Sequence, residues 1–262
     1  MRGMRALLLA TVAFALINSQ SFAESGKPAP TATKAANGVA VEFSEARIAN
    51  KRTTICRVNL QKTKLELYSR DDSGQPIKRF DRLAEMVKAK GKTLTFAMNA
   101  GMYHPDFSPV GLFVSDGREL RPVNTTNGNG NFFLKPNGIF VVTDTGARVV
   151  ETSEYSSIKE HVTLATQSGP LLVHNDRIHP ALNANSQSRF VRNGVGVAAT
   201  NEVVFVITEE PVNFHELATF FRDTLHCPNA LYLDGTVSSL YSTQLKRNDV
   251  RADLGTFIVV AE

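Results

Sequence analysis

Residues 229–239 read NALYLDGTVSS, and this stretch decides how the rest of the chain is interpreted. It begins as a short apolar run, which is typical of a buried strand, and the run ends abruptly at Asp234-Gly235. A strand end holds a reacting carboxylate rigidly, and a glycine beside it lets a ligand or another backbone approach closely. The same residues also fit a plain strand followed by an Asp-Gly turn, which is common.

Residues 213–225 predict the most regular helix of the chain. Apolar side chains recur there at helical spacing, namely Phe214, Leu217, Ala218, Phe221 and Leu225. Asn213 and Glu216 have the spacing of a capping box, in which each side chain bonds the backbone of the other. We expect this helix to deliver the chain to the strand that ends at Asp234.

A second unit of a helix followed by a strand lies earlier in the chain. Asp81 is expected to cap a helix that runs to about residue 90, and Gly91 is expected to end it. The apolar run 94–98 then predicts a strand that ends in Asn99-Ala100-Gly101. Both units therefore end in a polar side chain close to a glycine.

Short runs bounded by turn residues predict many further strands, at residues 55–60, 64–69, 111–115, 119–123, 139–143, 148–151, 162–167, 171–174, 190–197, 203–208 and 257–260. Residues 131–134 are expected to lead, in hairpin fashion, into the strand at 139. Strands outnumber helices, and many neighbours are joined by short turns. This pattern predicts a single α+β domain over residues 39–262, with large, mostly antiparallel or mixed sheets and a few covering helices.

The first residues predict export. Arg2 and Arg5 precede an apolar run over residues 6–16, and small residues before position 24 predict signal cleavage after Ala23. Residues 24–38 have the composition of a flexible linker, so we expect a periplasmic or secreted protein without a stable membrane anchor. Removal of residues 1–23 lowers the formal charge from +4 to +2, which makes a nucleic-acid partner a poor expectation.

Two cysteines, Cys56 and Cys227, follow the predicted signal. In an exported protein such a pair is more often bridged than free, so we predict a disulfide between them. Two cysteines alone do not make a zinc site, and His174 and His179 lack a recognisable ligand spacing. We therefore predict no metal and no cofactor.

Three positions outside the 229–239 stretch carry candidate chemistry. Ser168 lies outside the Gly-x-Ser-x-Gly context of a serine hydrolase. Arg192 precedes a glycine-containing strand, where it suits either a phosphate clamp or a structural ion pair. Glu209 ends another strand and is expected either to act with Asp234 on a glycosidic bond or to be a solvated loop charge.

Four segments occur in the order known from one family. They are residues 99–103 (NAGMY), 167–173 (QSGPLLV), 192–197 (RNGVGV) and 229–235 (NALYLDG). In these segments the chain resembles the phosphodiester glycosidase domain family, relatives of the lysosomal uncovering enzyme that removes N-acetylglucosamine from a phosphodiester. The resemblance runs from about residue 99 to residue 242. It implies hydrolysis of a sugar-1-phosphodiester, which releases the sugar and leaves a phosphomonoester.

The resemblance also implies roles for individual residues. Asp234 and Arg192 are the candidates for catalysis that the resemblance implies. Glu209 is a third candidate only because of its place at a strand end, since no family-wide counterpart of it can be placed. The candidates for substrate binding are Asn99, Gly101, Ser168, Gly169, Asn193, Gly194, Gly235 and Ser238. Many relatives carry glycines where this chain has Thr236-Val237, and this departure leaves open both the substrate and the activity that the resemblance implies.

The chemistry suits these residue types. A phosphomonoester is a weakly basic leaving group, so a cation such as Arg192 can stabilise it without a strong general acid. Asp234 is then expected to attack the anomeric carbon, to orient water or to hold sugar hydroxyls. The alternative is a non-catalytic envelope protein that binds glycans or cell-wall polymer with the same side chains.

Overall fold

A computed structural model describes residues 39–262. The predicted signal peptide and linker, at residues 1–23 and 24–38, lie outside the described residues. Within them the chain forms three antiparallel sheets, two α-helices and several short helical turns. The predicted α+β class with mostly antiparallel sheets is confirmed.

The largest sheet has seven strands and is antiparallel throughout. In spatial order its strands are β1 (Val41–Ile48), β2 (Lys51–Asn59), β13 (Glu202–Thr208), β12 (Asn193–Ala199), β14 (Asn229–Tyr232), β10 (Leu171–His174) and β11 (Arg177–Ile178). The strand predicted at the start of the 229–239 stretch is therefore β14, and it lies near the middle of this sheet. Its apolar composition follows from burial on both faces.

Two five-stranded sheets complete the fold. One has the order β16 (Arg247–Asn248), β15 (Leu240–Ser242), β4 (Leu94–Asn99), β17 (Phe257–Ala261) and β3 (Glu66–Tyr68). The other has the order β6 (Arg118–Arg121), β5 (Phe113–Ser115), β9 (Val162–Ser168), β7 (Gly138–Thr143) and β8 (Gly146–Glu151). Residues 131–134 were expected to be extended, but Asn131–Phe133 is a 3-10 turn.

The helices follow the predicted positions with differences at their ends. Helix α1 is Phe80–Ala89, and its N-cap is Arg79, so the prediction that Asp81 caps it is wrong. Helix α2 is Phe214–Thr219 and has the predicted capping box, in which Asn213 accepts from the Glu216 amide at 2.9 Å. A π-helical turn, Phe220–Thr224, extends it. Further 3-10 turns are Thr152–Ser157, Lys159–His161 and Gly235–Val237.

The two cysteines show how the core is divided by the seven-stranded sheet. Cys56 packs with Phe205 in the core between the sheets, whereas Cys227 packs with Phe221 under helix α2. Since neighbouring residues of a strand face opposite sides, Ile55 belongs to the second core while Cys56 belongs to the first. Both cysteines are free, and the predicted disulfide is wrong, because a bridge needs Cα atoms within about 7 Å with converging side chains.

One edge of the large sheet collects the segments of interest. Strands β13 and β14 run in the same direction, because each is antiparallel to β12 between them. Their ends, at Thr208 and Tyr232, therefore lie at the same edge as the start of β12 at Asn193. The chain leaves this edge after β14 into the loop that carries Asp234.

Candidate functional site

The loop of residues 234–239 is held by one buried side chain, Asn99. This residue ends strand β4 of another sheet and is 1% exposed. Its Nδ2 donates to the carbonyl of Asp234 at 2.8 Å, and its Oδ1 accepts from the amide of Ser239 at 2.9 Å. Asn99 therefore fixes both ends of the loop to the neighbouring sheet.

A second asparagine completes this network. Asn193 donates from Nδ2 to Oδ1 of Asn99 at 3.0 Å, and its own Oδ1 accepts from the hydroxyl of Ser238 at 3.3 Å. The Ser238 hydroxyl also lies 2.8 Å from the Gly235 carbonyl, to which it can donate. Five residues predicted from separate segments, including Asp234, are thus brought into one small region.

Asp234 is the charged residue of the loop that this network holds in place. Its side chain is only partly buried, between the fully buried Leu233 and Gly235. Burial raises the pKa of the Asp234 carboxyl, and a hydrogen bond from the Thr236 amide opposes that rise. The site thus contains a carboxylate that is less well solvated than an ordinary surface aspartate.

Tyr103 is a neighbour of Asp234 that we did not single out from the sequence as a site residue. Burial, with the negative charges of Asp234 and Asp253, raises the pKa of Tyr103 to about 12. Its hydroxyl donates to the Asp253 carbonyl at 2.6 Å. The only signal in the sequence was its place two residues after Gly101, in the NAGMY segment.

Arg192 is buried beside the loop rather than open to a ligand. It is 1% exposed, and its Nε and Nη2 donate to the carbonyls of Val212 and Ser188, both at 2.9 Å. Its guanidinium carbon lies 3.6 Å from the ring centre of Phe214. Among residues 39–262 it forms no ion pair with a carboxylate, so the structural ion pair is wrong for the part of the chain described. Burial lowers the pKa of Arg192.

Tyr232 connects Arg192 to the loop. Burial raises the pKa of Tyr232, and the nearby charge of Arg192 opposes the rise. A Cβ atom on Gly235 would lie 2.1 Å from the Tyr232 hydroxyl oxygen, so only glycine fits there. In the sequence Tyr232 is one residue of an apolar run, and such a run does not show which hydroxyl reaches a loop.

Three other glycines of the four segments lie against protein backbone. A Cβ atom on Gly101 would meet the Gln167 carbonyl at 2.4 Å, and one on Gly169 would meet the Phe132 carbonyl at 2.7 Å. One on Gly194 would lie 2.9 Å from a carbonyl of β14. The absence of a side chain is explained at these positions by close packing. Their proposed contacts with substrate remain predictions.

Ser168 lies at the end of β9 and is fully buried. Its hydroxyl has no hydrogen-bond partner among the described residues. A buried hydroxyl without a partner is unusual, since most such groups are bonded. The structure gives no bond between Ser168 and the loop that carries Asp234, so its role in substrate binding also stays a prediction.

Glu209 belongs to a different network at the same sheet edge. Its carboxylate accepts from the Thr54 hydroxyl at 2.8 Å and pairs with Arg247, which also pairs with Asp249. Asp249 in turn accepts from the Leu240 amide at 3.0 Å. Glu209 is therefore not a solvated loop charge, and within residues 39–262 it shares no hydrogen bond with Asp234. It lines a separate cavity of about 390 Å³.

A larger cavity, about 710 Å³, lies elsewhere in the described structure. Its wall includes Tyr68, Asp116 and Asn201, at the sheet edge where β13 begins, and none of the predicted site residues. The larger cavity and the predicted site residues thus lie in different parts of the structure. We assign the candidate site to the Asp234 loop, because the hydrogen bonds of separate segments converge there.

Two general features can be stated for residues 39–262. They contain no group of three or more histidine, cysteine, aspartate or glutamate side chains arranged to hold a metal ion. In the same part of the chain, no helix has the length and hydropathy needed to cross a membrane.

Comparisons with known proteins identify relatives of this chain. The phosphodiester glycosidase (NAGPA) family model matches residues 92–261. The uncharacterised protein YigE of Escherichia coli K12 is 32% identical over 184 residues, covering 70% of this chain and 72% of YigE.

Two solved structures share the fold. The zebrafish N-acetylglucosamine-1-phosphodiester α-N-acetylglucosaminidase catalytic domain, auto-inhibited by its pro-peptide, has a TM-score of 0.61 at 16% identity, over 88% of this chain and 86% of that one. A hypothetical protein from Synechocystis has a TM-score of 0.50 at 13% identity, over 84% of this chain and 61% of that one. The family model matches more than half of the chain, and the chain therefore belongs to the phosphodiester glycosidase family.

Proposed function

We propose that this protein hydrolyses a sugar-1-phosphodiester of the N-acetylglucosamine type. Water adds at the anomeric carbon, the bond from that carbon to the phosphate oxygen breaks, and the products are the free sugar and a phosphomonoester. The observation that carries the proposal is the partly buried carboxylate of Asp234, displayed by a loop that Asn99 and Asn193 fix. Membership of the phosphodiester glycosidase family supports it.

Asp234 acts at the anomeric carbon in this proposal. It either attacks that carbon, which retains the anomeric configuration after a second displacement, or orients the attacking water, which inverts it. Both roles need the ionised carboxylate. The configuration of the released sugar therefore distinguishes them.

Arg192 favours departure of the phosphate through its charge. Its Nε and Nη2 are already bonded to main-chain carbonyls, so it is poorly placed for a direct bidentate clamp. Its positive charge is not neutralised by a carboxylate within the described residues, which favours an anion nearby. A direct donor at such a site is worth about 3–4 kcal/mol, and a charge acting at longer range contributes less.

Thr236 and Val237 shape substrate choice. Thr236 is exposed, and it directly follows the Asp234-Gly235 pair in the 3-10 turn Gly235–Val237. A threonine and a valine there fill space and stiffen the turn relative to glycines. We infer that this chain takes a different phosphodiester from relatives with glycines at these positions.

Non-catalytic glycan binding is the second candidate. The observation that favours it is that, among residues 39–262, no second carboxylate shares a hydrogen bond with Asp234. A binder needs only groups that hold sugar hydroxyls. In either case we propose that the protein works outside the cytoplasm, as its first 23 residues predict.

Hydrolysis of an N-acetylglucosamine-1-phosphodiester tests the proposal. We expect the wild type to release free sugar and phosphomonoester, measured by ³¹P NMR. Asp234→Asn should reduce kcat by at least about 10³-fold, because a reacting carboxylate is lost. Asp223→Asn serves as a matched control, since Asp223 is half exposed and forms an ion pair with Arg222. An undiminished rate for Asp234→Asn would refute the catalytic role, and no cleavage by the wild type would favour the binder.

A further inference from the structure

Phe190 is an exposed aromatic ring at the edge that carries the candidate site. Its side chain is 58% exposed, and it is the only aromatic among the large exposed apolar residues of the described chain, the others being Val39, Leu120, Leu245 and Val250. It lies just before β12, and β12 begins at Asn193, which bonds the Asp234 loop. A single exposed ring needs no special explanation by itself. Its surroundings are what set Phe190 apart.

The backbone of Phe190 is fastened on the inner side. Its amide donates to the Val212 carbonyl at 3.2 Å, and the Val212 amide donates back to its carbonyl at 2.9 Å. Arg192 bonds the same Val212 carbonyl through Nε. Through Nη2, Arg192 also bonds the Ser188 carbonyl on the other side of Phe190.

A second arginine fixes the segment to helix α2. Arg189 donates from both terminal nitrogens to the carboxylate of Glu216, at 2.8 and 3.0 Å. Such bidentate pairs fix geometry as well as charge. Because Arg189 and Arg192 are both anchored, the backbone between them holds the exposed Phe190 ring in a defined position.

Contacts link this ring to the reacting loop. The guanidinium carbon of Arg192 lies 5.4 Å from the Phe190 ring centre and 5.6 Å from the Tyr232 ring centre. The hydroxyl of Tyr232 in turn lies beside Gly235, next to Asp234. Phe190 is therefore connected to Asp234 through successive contacts of Arg192, Tyr232 and Gly235, and among these residues it has the exposed ring.

We propose that Phe190 forms a sugar subsite, in which its ring stacks on the apolar face of the substrate's pyranose. The C–H groups on that face carry small positive charges and complement the negative face of an aromatic ring. A binding site of this kind combines an aromatic wall with a few polar groups that fix orientation. The inference rests on the proposed function for the identity of the ligand, which is a pyranose.

The chain contains no tryptophan, which allows a direct test. Phe190→Trp places a single indole at the subsite, and its fluorescence is titrated with N-acetylglucosamine. We expect a saturable change, whereas Leu120→Trp, on the exposed strand β6, should show none. Absence of a saturable change at Phe190→Trp would overturn the subsite, whether or not the enzyme is active.

Kinetics give an independent readout. Phe190→Ala should raise KM for the sugar phosphodiester about tenfold, equivalent to about 1.4 kcal/mol, with kcat nearly unchanged. Phe190→Tyr, which keeps the ring, should restore KM, and Leu120→Ala should leave it unaltered. A wild-type KM for Phe190→Ala would also overturn the subsite. If the wild type cleaves no phosphodiester while Phe190→Trp still responds to the sugar, the proposed hydrolysis fails and the subsite stands.

Discussion

The ends of strands β4 and β14 differ in what their polar side chains do. Each strand follows a helix or helical turn and leads to a polar residue near a glycine. Asn99 ends β4 two residues before Gly101, and Asp234 lies two residues after the end of β14, directly before Gly235. Asn99 is 1% exposed, and every hydrogen bond recorded for its amide is internal. Asp234 keeps its carboxylate partly open, while its backbone carbonyl is bonded by Asn99.

The two side chains therefore have different roles, because Asn99 supports the loop and Asp234 is its reactive group. A neutral amide can be buried once its donors and acceptors are paired, whereas a carboxylate without a partner keeps contact with solvent or a ligand. Asn99 therefore determines where the loop lies, and Asp234 determines what the loop can do. Variants at the two positions are expected to separate stability from activity.

Replacing Asn99 tests the support and should have the larger effect on folding. Asn99→Ala removes the bonds to Asp234 and Ser239 and the shorter of the two bonds from Asn193, whose Nδ2 keeps only the main-chain carbonyl of residue 99, at 3.3 Å. We expect the free energy of unfolding to fall by about 2–4 kcal/mol, because buried polar groups lose their partners. Denaturant titration measures this, with exposed Asn248→Ala as the control. An Asn99→Ala protein of wild-type stability would break the comparison.

Replacing Glu209 asks whether a second carboxylate takes part in the reaction. Glu209→Gln weakens the pair with Arg247, whose side chains are 19% and 17% exposed, and should lower the free energy of unfolding by about 1–2 kcal/mol. We expect kcat to change by less than about tenfold, since loss of a general acid or base typically costs at least about 10²-fold. Glu210→Gln, whose carboxylate bonds the Arg52 amide, is the control. A drop of that larger size would add Glu209 to the catalytic groups.

The pH dependence of stability gives the smallest expected effect. The pKa of Asp234 is raised in the folded protein, so the unfolded chain releases this proton first as pH rises. The wild type then loses stability from about pH 4, the ordinary range of aspartate, up through the raised pKa. Relative to the wild type, Asp234→Asn should gain Tm over that window and keep a constant gain above it. A gain that instead shrinks as pH rises would show that the fold favours the ionised carboxylate.

Local sequence patterns predicted helices and strands well where a capping motif or an apolar pattern was clear. Helix α2 has the capping box and apolar face expected from residues 213–225, and β14 occupies the start of the stretch at 229. Strand β1 was missed, because six of its eight residues are exposed or only partly buried, and three of these six carry a charge. Asp81 was taken as a cap because its residue type suits that position, although Arg79 occupies it.

Contacts between distant segments could not be read from residue types. The prediction of a disulfide was wrong, because the sequence does not show which face of a sheet each cysteine occupies. For Arg192, neither the aromatic ring of Phe214 nor the carbonyl partners could be foreseen from its neighbours in the chain. The convergence of Asn99, Asn193 and Asp234 was suggested by family resemblance and is explained only by the structure.

Chemical rescue tests most directly whether Asp234 supplies the reacting carboxylate and Asn99 only holds the loop in place. Asp234→Ala and Asn99→Ala are assayed on an N-acetylglucosamine-1-phosphodiester with and without sodium formate or azide, small anions that can replace a missing carboxylate. We predict that Asp234→Ala is nearly inactive and regains activity with the anion, whereas Asn99→Ala loses stability and gains nothing. Activity of Asp234→Ala within about tenfold of the wild type without any anion would contradict the assignment of the reacting group.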